Sequence, residues 1–121
     1  MANRTAEKLL RIFLGELDKL GSKPLYEEII LAAQRRGLAG VTVLRGVESY
    51  GASQRLHTAR ILRLAERLPL VIEIVDRPEK IEDFRTALDE LLEKAGTGAL
   101  VTLEAVEAFR YPPRHDWPGG A

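Results

Sequence analysis

Four stretches of strand period and two of helical period, in the order βαββαβ, predict an α+β protein with a ferredoxin-like arrangement. The strand-like runs cover residues 8–16, 41–46, 70–75 and 100–109, and each helical pattern lies between two of them. Right-handed crossovers of similar length put both helices on one face of a four-stranded antiparallel sheet. At 121 residues, with 45% apolar and 30% charged side chains, the chain is one domain large enough for a real core.

In the first run Leu10, Ile12 and Leu14 alternate with Leu9, Arg11 and Phe13, so both faces of the strand carry apolar side chains. Gly21 and Ser22 follow as turn residues. Ser22 is expected to cap a helix that takes Pro24 in its first turn and sets Leu25, Ile29, Ala32 and Ala33 on one face. Gly37 is expected to end that helix in the left-handed conformation. A second strand begins after Gly40, with Val41, Val43 and Arg45 on one face and Thr42, Leu44 and Gly46 on the other. Gly46 and Gly51 bracket its end, as at a bulge or a sharp exit.

Residues 52–69 admit two readings, because Ile61, Leu64, Ala65 and Leu68 have helical spacing while residues 61–64 equally extend a strand. A loop with a short helix is the reading adopted. Pro69 resets the chain, and Leu70, Ile72 and Ile74 then alternate with Val71, Glu73 and Val75 in a strand apolar on both faces. Asp76 and Glu79 have capping-box spacing, Pro78 suits a first turn, and Ile81, Phe84, Leu88, Leu91 and Ala95 make the apolar face of the second helix. Gly96 and Gly98 terminate it, and Val101, Leu103 and Ala105 alternate with Thr102, Glu104 and Val106 in the last strand. The organisation expected is an N-terminal extension (1–7), a folded domain (8–110) containing a long connection (51–68), and a proline- and glycine-rich tail (111–121). With helices on one face only, Leu9, Phe13, Val71 and Val75 would form an uncovered apolar patch, and self-association is expected to bury it.

Composition narrows the function classes. Zero cysteines exclude disulfides, thiolate metal sites and a cysteine nucleophile. No apolar run approaches the ~18 residues of a membrane span, and the polar start, Met1-Ala2-Asn3-Arg4-Thr5, lacks the apolar core of a signal peptide, so a cytoplasmic location is expected. The net charge of zero conceals an asymmetry: residues 45–67 carry net +3 and residues 73–107 net −6. Nucleic acid is disfavoured, since Tyr50 is the lone aromatic of the basic segment. Two histidines with no acidic cluster at ligand spacing argue against a metal site.

A few polar residues stand out by position. Arg45, at a strand end, is expected either to pair with Glu48 or Glu73 or to hold a phosphate or carboxylate with its planar fork. Glu73 interrupts an apolar strand and needs a partner, most simply Arg45 or Arg11. His57 lies beside Arg55 and Arg60; Arg60, Arg63 and Arg67 read as a solvated helix face or as a basic rim for an acidic partner. Trp117, in the tail, could dock on a neighbouring subunit.

The run from Gly40-Val41-Thr42-Val43 to Tyr50-Gly51, followed by Leu68-Pro69 and Ile72-Glu73-Ile74-Val75, resembles the second and third strands of PII signalling proteins, which carry their long T-loop between them. Lys8-Leu9-Leu10-Arg11-Ile12-Phe13, Pro24-Leu25-Tyr26, Gly40 through Gly46, His57-Thr58, Ile61-Leu62-Arg63-Leu64 and Leu68-Pro69 together are similar to a PII-like family, domain of unknown function 190. The resemblance implies a homotrimer with small-molecule clefts between neighbours and a T-loop-like connection over residues 51–68. It implies an adenine nucleotide as effector, at Gly40, Thr42, Glu73, Val75 and Arg110, with Arg45 near by. Tyr50, Arg55, His57 and Arg60 would be the partner-facing positions. PII proteins carry a Thr-Gly-x-x-Gly-x-Gly-Lys phosphate loop where this chain has Gly96-Thr97-Gly98-Ala99-Leu100 without a lysine, and no tyrosine-modification site is recognisable. Members of the narrower family resemble proteins found beside or fused to fluoride-exporting channels, which implies a membrane transporter or ion channel as partner.

The leading reading is a non-enzymatic regulator that senses a small anionic effector and engages a partner through residues 51–68. The alternative is a small ferredoxin-like enzyme with His57 as acid or base and Arg45 as anion holder.

Overall fold

The computed structural model describes residues 2–50, 56–58 and 68–113. Its spine is β1 (Arg4–Gly15), whose alternation is resolved by burial: Leu10, Ile12 and Leu14 are at most 7% exposed, while Phe13 on the other face is 36% exposed. An apolar strand suits the middle of a sheet, with a neighbour on each side. Accordingly β1 is antiparallel to β7 (Pro69–Asp76) from Lys8 opposite Asp76 to Gly15 opposite Pro69, and to β8 (Leu100–Phe109) from Arg4 opposite Phe109 to Phe13 opposite Leu100. β4 (Thr42–Arg45) joins the far edge of β7, with Thr42 opposite Glu73 and Arg45 opposite Leu70. The order β4-β7-β1-β8 is the expected ferredoxin-like sheet.

α1 (Leu25–Arg35) and α2 (Pro78–Ala95) cover one face. Leu25, Ile29 and Ala33 of α1 and Ile81, Phe84 and Leu88 of α2 close over Leu10, Ile12, Leu14, Leu70, Ile72 and Ile74 in one apolar cluster. The helices are also tied end to end. The Lys80 ammonium donates to the Gly37 carbonyl at 3.1 Å, and Arg36 pairs with Asp83 at 3.1 Å. Gly37 has φ +71 and closes α1 as expected, its N–H donating to the Gln34 carbonyl at 3.0 Å. No helix of the described residues lies on the opposite sheet face, where Leu44 is 47% and Leu100 60% exposed beside Phe13.

Several local expectations are corrected. β1 begins at Arg4, so residues 4–7, expected as an extension, are strand; the side chains at 4–6 are exposed, and backbone pairing with β8 holds them without an apolar pattern. Ser22 caps nothing. It sits with Gly21 in the two-residue turn between β2 (Lys19–Leu20) and β3 (Lys23–Pro24), Gly21 having φ +63, and Pro24 holds the N-cap position of α1 without a side-chain bond. The Asp76–Glu79 capping box is absent too. The N-cap is Arg77, and the Asp76 carboxylate instead accepts from the backbone N–H of Ala39 at 2.8 Å and of Arg77 at 2.7 Å, tying the connection before β4 to the end of β7. In the segment expected to be a loop with a short helix, β6 (Leu56–Thr58) is a strand paired with β5 (Glu48–Tyr50). The expected helix over 61–68 falls almost wholly outside the described residues, as does the tail from 114.

Both ends of the connection between β4 and β7 are held at the sheet. The Gly46 N–H donates to the Pro69 carbonyl at 2.7 Å, and the Glu16 N–H to the Leu68 carbonyl at 2.9 Å. A Cβ on Gly46 would stand 2.7 Å from the Pro69 ring carbon Cγ, so no larger residue fits without moving a stiff ring. Gly46→Ala should therefore lower stability by roughly 1–3 kcal/mol in urea unfolding. Gly40→Ala, where an added Cβ meets nothing within 4 Å, should cause no loss.

Candidate functional site

Because β1 runs antiparallel to both β7 and β8, its start meets the ends of both. Polar residues concentrate there. Asn3 just before β1, Thr5 and Glu7 at its start, Asp76 at the end of β7 and Arg77 just after it, Arg110 and Pro112 after β8, and Ala39 before β4 line an open cleft of about 550 Å³. That size is in the range that holds a small-molecule ligand.

Glu7 forms its floor, at 3% exposure. Its Oε2 accepts from Arg110 Nη1 and from the Thr5 hydroxyl, while Oε1 is buried with no partner among the described residues. Arg110 donates its other arm to the Val75 carbonyl at 3.2 Å. A buried carboxylate needs a charge-assisted bond, and here the bond to Arg110 outweighs the opposing effect of burial, aided by Thr5. Glu7 is thus held below its ordinary pKa, and the bond to Glu7 raises that of Arg110. Both cleft guanidiniums remain half open to solvent, the Arg110 side chain 51% exposed and that of Arg77 62%. The carboxylate oxygens of Asp76 are already taken by backbone N–H groups. The chemistry left on offer is guanidinium N–H, suited to an anion.

A second charged cluster sits mid-sheet on the uncovered face. Arg11 donates Nε to Glu73 at 2.9 Å and Nη1 to Glu104, bridging β7 and β8 across β1. This settles the partner of Glu73 as Arg11. Arg45 pairs instead with Glu16, and Glu73 is taken by Arg11. Arg45 is in phase with Val43 on the helix side of β4, which is why Glu73, in phase with Thr42, is out of its reach. Arg45 and Glu16 border a smaller pocket of about 220 Å³ with Tyr26, Val43 and Leu70.

The expected effector residues therefore separate. Thr42 and Glu73 are cross-strand partners, Val75 lies two residues further along β7 with its carbonyl on Arg110, and Gly40 follows the cleft residue Ala39. Arg45 stands apart at the other end. Of the partner-loop positions, Tyr50 lies on β5 opposite Leu56, and His57 on β6 opposite Ser49. Arg55 and Arg60 lie outside the described residues. Glu7, Thr5, Asp76 and Arg77 went unnoticed as cleft residues. The available signal was Glu7 continuing the phase of Leu9 and Phe13, a carboxylate on a sheet face. No group of three metal-ligating side chains comes together among the described residues, and no helix there is long and apolar enough to cross a membrane.

The architecture is that of PII-like proteins. CPII, a nitrogen regulatory PII-like protein from Thiomonas intermedia K12 whose structure holds ADP, AMP and bicarbonate, superimposes with a TM-score of 0.69 at 15% identity over 89% of this chain and 92% of CPII. A PII-like protein from Thermus thermophilus gives 0.63 at 18% identity, over 88% of this chain and 92% of that one. In sequence, the model of the DUF190 family, described as "Uncharacterized ACR", matches residues 7–108, and the chain belongs to that family. A UPF0166 protein of Aquifex aeolicus (strain VF5) is 40% identical over 103 residues, 85% of this chain and 93% of the relative. A second UPF0166 protein, from Methanocaldococcus jannaschii, is 35% identical over 89 residues, 74% of this chain and 82% of the relative.

The Glu7–Arg110 pair makes a testable contribution to stability. Glu7 has a depressed pKa in the folded state, so its stabilisation is complete above the ordinary carboxylate value of 4.5 and is lost as pH falls through the lower folded value. Glu7→Gln should be less stable than the parent chain near neutrality, and the difference should shrink on acidification below about pH 4, read from urea unfolding across pH. A constant difference at all pH values would contradict the pairing.

Proposed function

We propose that the chain is a non-enzymatic PII-like regulator, a homotrimer whose clefts take a small anionic effector and whose 51–68 connection engages a partner. The observation that carries this reading is the cleft around Glu7 and Arg110, which presents two half-exposed guanidiniums at the edge of a PII-like sheet. The uncovered face, with Leu9, Phe13, Leu44, Val71, Val75 and Leu100, supplies apolar surface for assembly. An adenine nucleotide is the effector class, in line with the ADP and AMP held by CPII.

In this proposal Arg110 and Arg77 take the phosphate, replacing the lysine missing from Gly96-Thr97-Gly98. Gly40 leaves room for the ligand, and Thr42, Glu73 and the Val75 backbone border the base. Arg45, paired with Glu16, holds the foot of the connection and not the effector. Tyr50, Arg55, His57 and Arg60 face the partner, a membrane transporter or ion channel such as a fluoride channel, from a cytoplasmic location. Regulation then requires the effector to favour one state of the connection over another, since equal affinity for both shifts nothing. The enzyme reading draws nothing from the cleft, because Arg45, paired with Glu16, borders the other, smaller pocket.

Native mass spectrometry should return a trimer. ADP at a hundred times its dissociation constant should stabilise the protein by about 2.7 kcal/mol, seen as a rise in melting temperature, and Arg110→Ala should abolish the rise. A monomer, or no response to either ADP or AMP, would sink the proposal.

A further inference from the structure

Arg110 has two competing obligations once it is read as an effector ligand, and the following rests on that reading. Before any ligand arrives, its guanidinium is divided between Glu7 Oε2 and the Val75 carbonyl. Glu7 in turn depends on it. With 3% of the residue exposed and Oε1 without a partner among the described residues, its remaining bond there is from the Thr5 hydroxyl. The other charges around the pair are Arg77, at the junction of β7 and α2, which adds a weaker attraction to Glu7, and Asp76, at the end of β7, which faces Arg110. From the connection before β4, Ala39 contributes its backbone N–H, and that goes to Asp76. Asn3 and Pro112 complete the lining and do not titrate.

An anion that engages Arg110 must share or take the guanidinium and brings a second negative charge beside Glu7. Either way the contact that kept the buried carboxylate ionised is weakened or lost, and burial then favours the neutral acid. We propose that Glu7 is an internal counter-ligand: it occupies Arg110 while the cleft is empty and yields it to the anionic group of the effector by taking up one proton. The proton comes from solvent and forms an O–H bond on the carboxylate, so nothing else changes covalently. Oε1, which has no donor among the described residues, becomes able to carry that hydrogen. Glu7 is a positioning residue in this scheme. Its chemistry makes the cleft bind anions more tightly in acid than in base.

The experiment is calorimetric titration of the full chain with ADP, in two buffers of different ionisation enthalpy and at several pH values, repeated with Glu7→Gln. For the parent chain the heat should depend on the buffer in the sense of proton uptake. The ratio of parent to Glu7→Gln affinity should fall by up to about tenfold per pH unit as pH rises above the depressed value that Glu7 has in the empty cleft. Ionisation of ADP is common to both chains and cancels in that ratio. If Glu7→Gln does not fold, the buffer dependence of the parent chain still decides the matter, once corrected for the proton exchange of ADP itself. ADP binding without proton uptake by the protein, or a Glu7→Gln profile matching the parent, overturns the counter-ligand while leaving the effector reading standing. ADP that fails to bind the parent chain overturns both.

Discussion

β1 is hydrogen-bonded along both edges, and the rest of the molecule is built on that constraint. Its alternation commits Leu10, Ile12 and Leu14 to the helices, and the same register brings Arg11 opposite Glu73 on one side and within reach of Glu104 on the other. A slip of one residue would send Arg11 into the apolar cluster and Ile12 to the open face. Core packing and the ion cluster therefore specify the same alignment from opposite faces of the sheet.

The antiparallel arrangement also separates the two regions that a regulator must connect. The cleft lies where β1 begins and β7 ends, while the Gly46–Pro69 contact lies where β7 begins. Seven residue steps along β7, at about 3.4 Å each, put these roughly 24 Å apart within one subunit. A fully paired strand offers little slack over that span. Coupling along one chain would have to run through rigid displacement of β7, whereas in the proposed trimer it needs only that the cleft of one neighbour adjoin the connection of another.

The sheet order, both helices and the last strand were legible because each follows a single hydrophobic period. Phe84 and Leu88 announce α2, and Leu10 with Ile12 announce β1. What escaped was local polar competition. Asp76 can bond the helix start or the Ala39 N–H, and spacing alone does not say which. Ser22 looks like a cap until Lys19 and Leu20 are seen pairing across it with Pro24 and Lys23. The cleft escaped for a related reason: Glu7, Arg77 and Arg110 are far apart in the chain, and only the sheet brings them together. The link between Glu73 and Arg11 was readable because both positions were already placed on neighbouring strands. Arg45 was misassigned because its phase on β4 was not carried through to the face it occupies.

Arg11 carries one positive charge between two carboxylates, so the cluster with Glu73 and Glu104 keeps a net charge of −1 in the middle of the open face, with Thr42 and Thr102 as cross-strand neighbours. An indiscriminate apolar sheet stacking there would strand that charge away from water, at an effective cost of several kcal/mol. Only a surface that brings a cation or hydrogen-bond donors to the right spot escapes the penalty.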